Sequence, residues 1–229
     1  MPAARPVLYI GNRNYSSWSL RPWLCLKWAR IGFEERQVEL DAPGYGEAKI
    51  AAVLAVSPSG RVPVLHADGA VIWDSLAIAE WAAEYPGAEP LLPVDRTLRA
   101  LIRSATAEMH SGFPAIRRDF SMNIRRRCKA YGLLQETLDE VARVDALWSG
   151  LRAAHGAEGS YLFGRRSMAD AFYTPVATRF RTYGIALSKP AQAYADALLT
   201  DAAFREWENL VLAEPARPLT RAPTDKLYT

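Results

Sequence analysis

Apolar and polar positions alternate along this chain in two different rhythms. The run VLYI at 7–10 is short, apolar and β-prone, which predicts a buried strand. Leu20, Trp23, Leu24, Leu26, Trp28 and Ile31 then recur at close to helical spacing. They predict a helix over 19–31 with Pro22 in its first turn, where a missing N–H costs little. FEERQVEL at 33–40 reads as a second strand and GYGEAKIAAVLAV at 44–56 as a short helix. VPVLHADGAVIW at 62–73 reads as a hairpin about Ala67-Asp68-Gly69-Ala70. A helix over 74–85 opens on the capping residues Asp74 and Ser75 and stops before Pro86-Gly87.

After this point the strand signal disappears. PGAEPLLPVD, 86–95, holds three prolines and no periodicity, and reads as a linker. Helical patterning follows over 96–126, 133–154, 168–184, 191–199 and 201–212, and the proline-rich end EPARPLTRAPTDKLYT reads as extended over the surface. Ser167 and Asp170 form a capping-box pattern at the start of one of these helices. The predicted organisation is α/β plus all-α: a small domain at 1–86, a linker at 87–95 and a helical bundle at 96–229.

Composition narrows the function classes. Half of the 229 residues are hydrophobic, 23% are charged and the net charge is +3, which is ordinary for a soluble globular protein. No window approaches the roughly 18 apolar residues needed to span a bilayer, and the apolar run near the N-terminus is too short for a secretory segment. Two distant cysteines, Cys25 and Cys128, imply no disulfide framework, so a cytoplasmic setting is expected. Cys25 lies in the apolar stripe of the first helix and is expected to be buried and inert. The histidines, 66, 110 and 155, show no metal spacing, and no metal is expected. Arg117, Arg118, Arg125, Arg126, Arg127 and Lys129 are expected to decorate the C-terminal end of a long helix, where cations are favourable. With so small a net charge and no reader motif, nucleic acid is not an expected partner.

The densest chemistry is NYSSWSLRPW, residues 14–23, with three serines and two tryptophans in ten positions. It sits where the first strand hands over to the first helix. The opening N–H groups of a helix lack intrahelical partners, so hydroxyls there either cap the helix or help it hold an anion.

Three segments in order, SSWSLRPW (16–23), SPSGRVPVL (57–65) and WDSLAIAEWAAE (73–84), resemble motifs of the glutathione transferase superfamily, and SMADAFYTPV (167–176) resembles the capping box of its helical domain. The resemblance covers roughly positions 7 to 212 and is to the serine-type, bacterial zeta-like branch. It implies a thioredoxin-like N-terminal domain followed by a helical-bundle C-terminal domain, a cytoplasmic homodimer and glutathione as co-substrate. Zeta-type isomerases typically read Ser-Ser-Cys-Ser where this chain reads Ser16-Ser17-Trp18-Ser19. The reading that follows is therefore a detoxifying transferase that conjugates the glutathione thiolate to small apolar electrophiles. The alternatives are a glutathione-dependent isomerase and a non-catalytic binding protein.

The resemblance also assigns residues. Ser16, with Ser17 as the fallback, would stabilise the thiolate. Val62-Pro63 would be cis and present the Val62 backbone to the glutathione peptide. Asp74 and Ser75 would hold the γ-glutamyl end, and Arg61 or Lys49 the glycyl carboxylate. Arg21 is expected to be a structural ion-pair partner. The second-substrate pocket would lie between the domains, lined by Trp18, Met109, His110 and Phe113, with Met122 nearby.

Overall fold

The computed structural model describes residues 5–216. The order begins β1 (Val7–Ile10), α1 (Ser17–Trp28), β2 (Glu34–Gln37), α2 (Ala51–Leu54), β3 (Val64–Ala67), β4 (Ala70–Trp73) and α3 (Ser75–Glu84). It continues with α4 (Arg96–Ser111), α5 (Pro114–Asp119), α6 (Gln135–His155), α7 (Met168–Tyr183), α8 (Lys189–Thr200) and α9 (Ala202–Ala213). A four-stranded sheet of order β2-β1-β3-β4 is followed by helices alone. This is the thioredoxin-like sheet domain and helical domain of the glutathione transferase fold.

The topology follows from the connections. β1 and β2 are parallel, so the chain must cross over between them, and α1 makes that crossover. β3 and β4 are antiparallel and joined through Asp68 and Gly69, both at positive φ, the backbone a tight hairpin needs. Leu8, Ile10 and Leu65 are fully buried on one face of the sheet, in the core shared with α1 and α3.

Helix α1 is enclosed on every side. Leu20, Trp23, Leu24, Cys25, Leu26 and Trp28 are all buried, because α1 packs on α3 and also on α7 and α9 of the helical domain. Burial pushes the Cys25 thiol upward, out of the reactive range. Polar contacts fix the junction. Trp28 Nε1 donates to Asp201 Oδ1 at 2.9 Å, Trp207 Nε1 to the Arg13 carbonyl at 3.1 Å, and Asn14 Nδ2 to Asn123 Oδ1 at 3.0 Å.

Four expectations are corrected. The helix at 19–31 starts earlier, at Ser17, so Pro22 sits inside it rather than in its first turn and leaves one carbonyl without its helical donor. The helix expected over 44–56 contracts to Ala51–Leu54, because Gly44, Gly46 and Ala48 all adopt positive φ. The helix expected over 96–126 breaks after Ser111: Phe113 is left-handed (φ 59°) and Pro114 restarts the chain as α5. The basic run therefore does not decorate one helix end. Arg117 turns back to the carbonyls of Met109, His110 and Gly112 and closes the end of α4. Arg125 does the same for α9 through the carbonyls of Val211 and Glu214. The expected extended C-terminal stretch lies, from 217 onward, outside the described residues.

The capping box is present and extends further than the sequence implies. Asp170 is fully buried and accepts from Leu162 N at 3.1 Å, Ser167 N and Oγ at 2.8 Å each, and Tyr194 Oη at 2.8 Å. It ties the 158–167 loop, α7 and α8 together, while burial pushes its carboxyl above the usual range. Replacing it strands several buried donors at once. Asp170→Ala is expected to cost about 3 kcal/mol or more in urea unfolding, and a loss near 0.5 kcal/mol, the size of a surface substitution, would contradict this account.

Candidate functional site

A cleft of about 390 Å³ opens on the sheet domain, lined by Trp18, Tyr45, Arg61, Val62, Pro63, Trp73, Asp74 and Ser75 among others. The Val62-Pro63 bond is cis, and β3 begins only at Val64, so the Val62 backbone stands at the cleft wall outside the ladder. The floor depends on Gly60. Its φ is +63°, and a Cβ there would lie 2.1 Å from the Ala48 carbonyl oxygen.

Asp74 and Ser75 divide the roles that the sequence left shared. Asp74 is the N-cap of α3 and accepts from Leu76 N at 2.7 Å. It does so at φ 76° and ψ 134°, a backbone region that costs a non-glycine residue roughly 1–3 kcal/mol. Ser75 does not cap. Its Oγ is buried at the mouth of the helix and, among the described residues, without a partner. A donor left open beside a helix N-terminus is suited to an anion.

At the start of α1 the two serines face different ways. Ser16 is half-buried and caps the helix, its Oγ accepting from Ser19 N at 3.3 Å and donating to Ser19 Oγ at 2.7 Å. Ser19 Oγ in turn accepts from Gly11 N at 3.1 Å. Ser17 is 3% exposed and accepts from Arg179 Nη2 of α7 at 3.0 Å.

Of the two basic candidates, Arg61 lines the cleft, while Lys49 reaches Glu47 at 3.2 Å and does not line it. The expected apolar pocket divides as well. Trp18 lines the cleft, and His110 approaches Asp74, Nε2 to Oδ2 at 3.5 Å. Met109, Phe113 and Met122 are instead packed in the core, Met109 at 0% exposure. Burial holds the His110 imidazole below its ordinary range; Asp74 pulls it up and Arg21 pushes it further down. Sequence reasoning missed Tyr45 and Trp73, although an aromatic between two glycines and a tryptophan directly before the Asp-Ser pair were available signals.

Among the described residues the expected ion pair of Arg21 is absent: Arg21 is 0% exposed and none of its three guanidinium nitrogens has a hydrogen-bond partner there. Its charge rests on ring faces instead, 4.1 Å from the centroid of Trp18 and 5.0 Å from that of Phe172. The Arg117 guanidinium lies over the same Trp18 ring at 5.0 Å, and its Nη1 is also unpartnered. Among the described residues no group of His, Cys, Asp or Glu could hold a metal ion, and no helix is long and apolar enough to cross a membrane.

Comparison with known proteins adds three findings. Residues 15–84 match the family model of the glutathione S-transferase N-terminal domain. A probable maleylacetoacetate isomerase of Caenorhabditis elegans is 37% identical over 112 residues, 49% of this chain and 50% of that protein. The maleylacetoacetate isomerase of Pseudomonas aeruginosa is 29% identical over 207 residues, 87% of this chain and 93% of that protein. The chain thus spans about half the length of the curated animal relatives it matches. A crystal structure of maleylacetoacetate isomerase from Anaeromyxobacter dehalogenans 2CP-1 with bound glutathione has a TM-score of 0.64 at 26% identity, covering 93% of this chain and 98% of that one.

The start of α3 makes a signed prediction about the unliganded protein. Ser75→Ala removes a hydroxyl with no partner, so urea stability should stay within about 0.5 kcal/mol of the parent. Asp74→Gly keeps most of the cap's worth and relieves the backbone, so it should gain about 1 kcal/mol. A clear loss in either variant would contradict this division of roles.

Proposed function

We propose that this chain, a member of the glutathione transferase superfamily on its zeta-like side, is a glutathione-dependent isomerase. The observation that carries the reading is the cleft itself. It joins a cis X-Pro wall, an unpartnered buried Ser75 hydroxyl at the mouth of α3 and a flanking arginine, beside the serine-capped start of α1. Each feature matches one part of the tripeptide. Ser75 and the N-terminus of α3 take the γ-glutamyl carboxylate, and Asp74 its ammonium group. The Val62 backbone takes the peptide, as a strand takes its neighbour. Arg61 takes the glycyl carboxylate.

The thiol then lies near the start of α1. A free thiol has a pKa of about 8.5, so little thiolate exists at neutral pH. Lowering it by two units needs roughly 2.7 kcal/mol, within reach of one hydrogen bond to the charged sulfur plus the helix terminus. Ser16 is the hydroxyl assigned to this, because it is half-exposed while Ser17 is sealed against Arg179. The Ser16 proton that points to Ser19 turns to the thiolate when glutathione binds.

The thiolate adds to one carbon of a substrate double bond, leaving a single bond about which the adduct rotates. Elimination then breaks the new C–S bond and returns glutathione. Isomerisation is preferred to conjugation because the curated relatives are maleylacetoacetate isomerases, one of them matched over 93% of its length. Conjugation is what the same attack yields when the adduct cannot eliminate.

Stoichiometry tests the choice. With maleylacetoacetate, substrate should be converted while total glutathione is recovered unchanged, and glutathione consumed one for one would return the reading to conjugation. Ser75→Ala should weaken glutathione binding about tenfold by calorimetry, the worth of one hydrogen bond to a charged group. Ser16→Ala should leave binding nearly intact but raise the pKa of the bound thiol, read by thiolate absorbance near 240 nm. Turnover at neutral pH should fall about tenfold per unit. An upward shift in Ser17→Ala alone would move the role to Ser17.

A further inference from the structure

One imidazole approaches the cleft from the helical domain. His110 stands in the last turn of α4, and its Nε2 lies 3.5 Å from Oδ2 of Asp74, across the junction of the two domains. Its place is held from behind. Arg117 donates through Nε to the Gly112 carbonyl at 2.9 Å and through Nη2 to the carbonyls of Met109 and His110, which fixes the end of α4. The ring stands edge-on to Trp18 of α1 with centroids 5.4 Å apart, and 6.0 Å from the ring of Phe172 of α7.

Asp74 divides its two oxygens. Oδ1 accepts from Leu76 N and caps α3, so Oδ2 is the oxygen left for a cation in the cleft, which Asp74 lines. His110 faces that same oxygen. A neutral imidazole leaves the carboxylate charge available, whereas an imidazolium neutralises it and repels a second cation. The charged groups that face the ring are Asp74 of α3, Arg21 of α1 and Arg117 of α5, while α7 presents the uncharged Phe172. Asp74 and the carbonyl end of α4 favour the proton; burial, the largest influence, and the two arginines oppose it. With Nε2 turned to Asp74, an added proton goes to Nδ1, which is buried and has no partner among the described residues. The ring is therefore neutral at neutral pH and takes its proton only below the ordinary histidine range.

We propose that His110 is a positioning residue that shares Asp74 with the ammonium group of the bound tripeptide and, once protonated, displaces it, so that occupancy of the cleft is tied to pH. The inference rests on the glutathione-dependent reading of the cleft and adds a regulation of that site. The sign follows from linkage. An ammonium beside Oδ2 disfavours the imidazolium, so binding lowers the His110 pKa further, and by reciprocity protonation of His110 weakens binding. Affinity is full above the His110 pKa of the unliganded protein and falls as pH drops through it.

The test uses S-methylglutathione, which keeps the ammonium group but has no thiol to titrate. Its calorimetric affinity for the full chain should be level from about pH 8 to about 6.5 and then fall toward about tenfold per pH unit, as one proton replaces one ligand. His110→Gln should keep the parent affinity at the upper end and lose the fall. The same ligand without its amino group should show no such fall in the parent. NMR titration of the histidine rings gives a second reading that needs no variant. Of His66, His110 and His155, only His110 should titrate lower once S-methylglutathione is saturating. A parent slope retained in His110→Gln, or a His110 pKa unmoved by the ligand, would overturn the inference and leave the functional reading in place. Absence of binding at every pH would overturn the functional reading and the inference with it.

Discussion

Everything in this molecule depends on enclosing one helix. α1 must make the crossover between parallel strands, and it must also be the surface on which the helical domain docks. It is consequently apolar almost all round, which is tolerable only because the sheet, α3, α7 and α9 cover it. Its N-terminus is the exception. There the chain emerges from β1, Ser16 closes the first turn, and the junction of the two domains stays accessible. Burying the body of α1 fixes where its open end points, and the chemistry follows from that position.

The two halves of the cleft are not alike in how they are held. The sheet side is built by backbone: a cis peptide at Val62-Pro63, a close approach at Gly60 and an unfavourable φ at Asp74. The helical side is built by side chains reaching across the junction. Arg179 meets Ser17, Arg117 lies over Trp18, and His110 approaches Asp74. The backbone half is fixed by the fold, whereas the side-chain half can change residue by residue with little disturbance to it.

What the sequence made legible divides along the same line. The strand 7–10, the hairpin and the caps at Asp74 and Ser167 were readable, because each is fixed by a few adjacent residues, whereas the cis proline came only through the family resemblance. The break at Gly112-Phe113-Pro114 was hidden inside a pattern that keeps helical spacing through it, and the placing of Phe113 failed with it. The basic run misled because arginines spaced for a helix surface turned out to cap carbonyls on other segments. The state of Arg21 could not be read at all. An absent partner is a property of three-dimensional surroundings and leaves no trace in the order of residues.

The chain's own sulfur chemistry is kept apart from the cleft. Of its two cysteines, Cys25 lies sealed in α1 with its thiol held in the protonated, unreactive form, and neither Cys25 nor Cys128 lines the cleft. At the position where zeta-type relatives typically carry a cysteine, this chain carries Trp18. Any thiol chemistry in the cleft would therefore have to be brought there by a bound molecule.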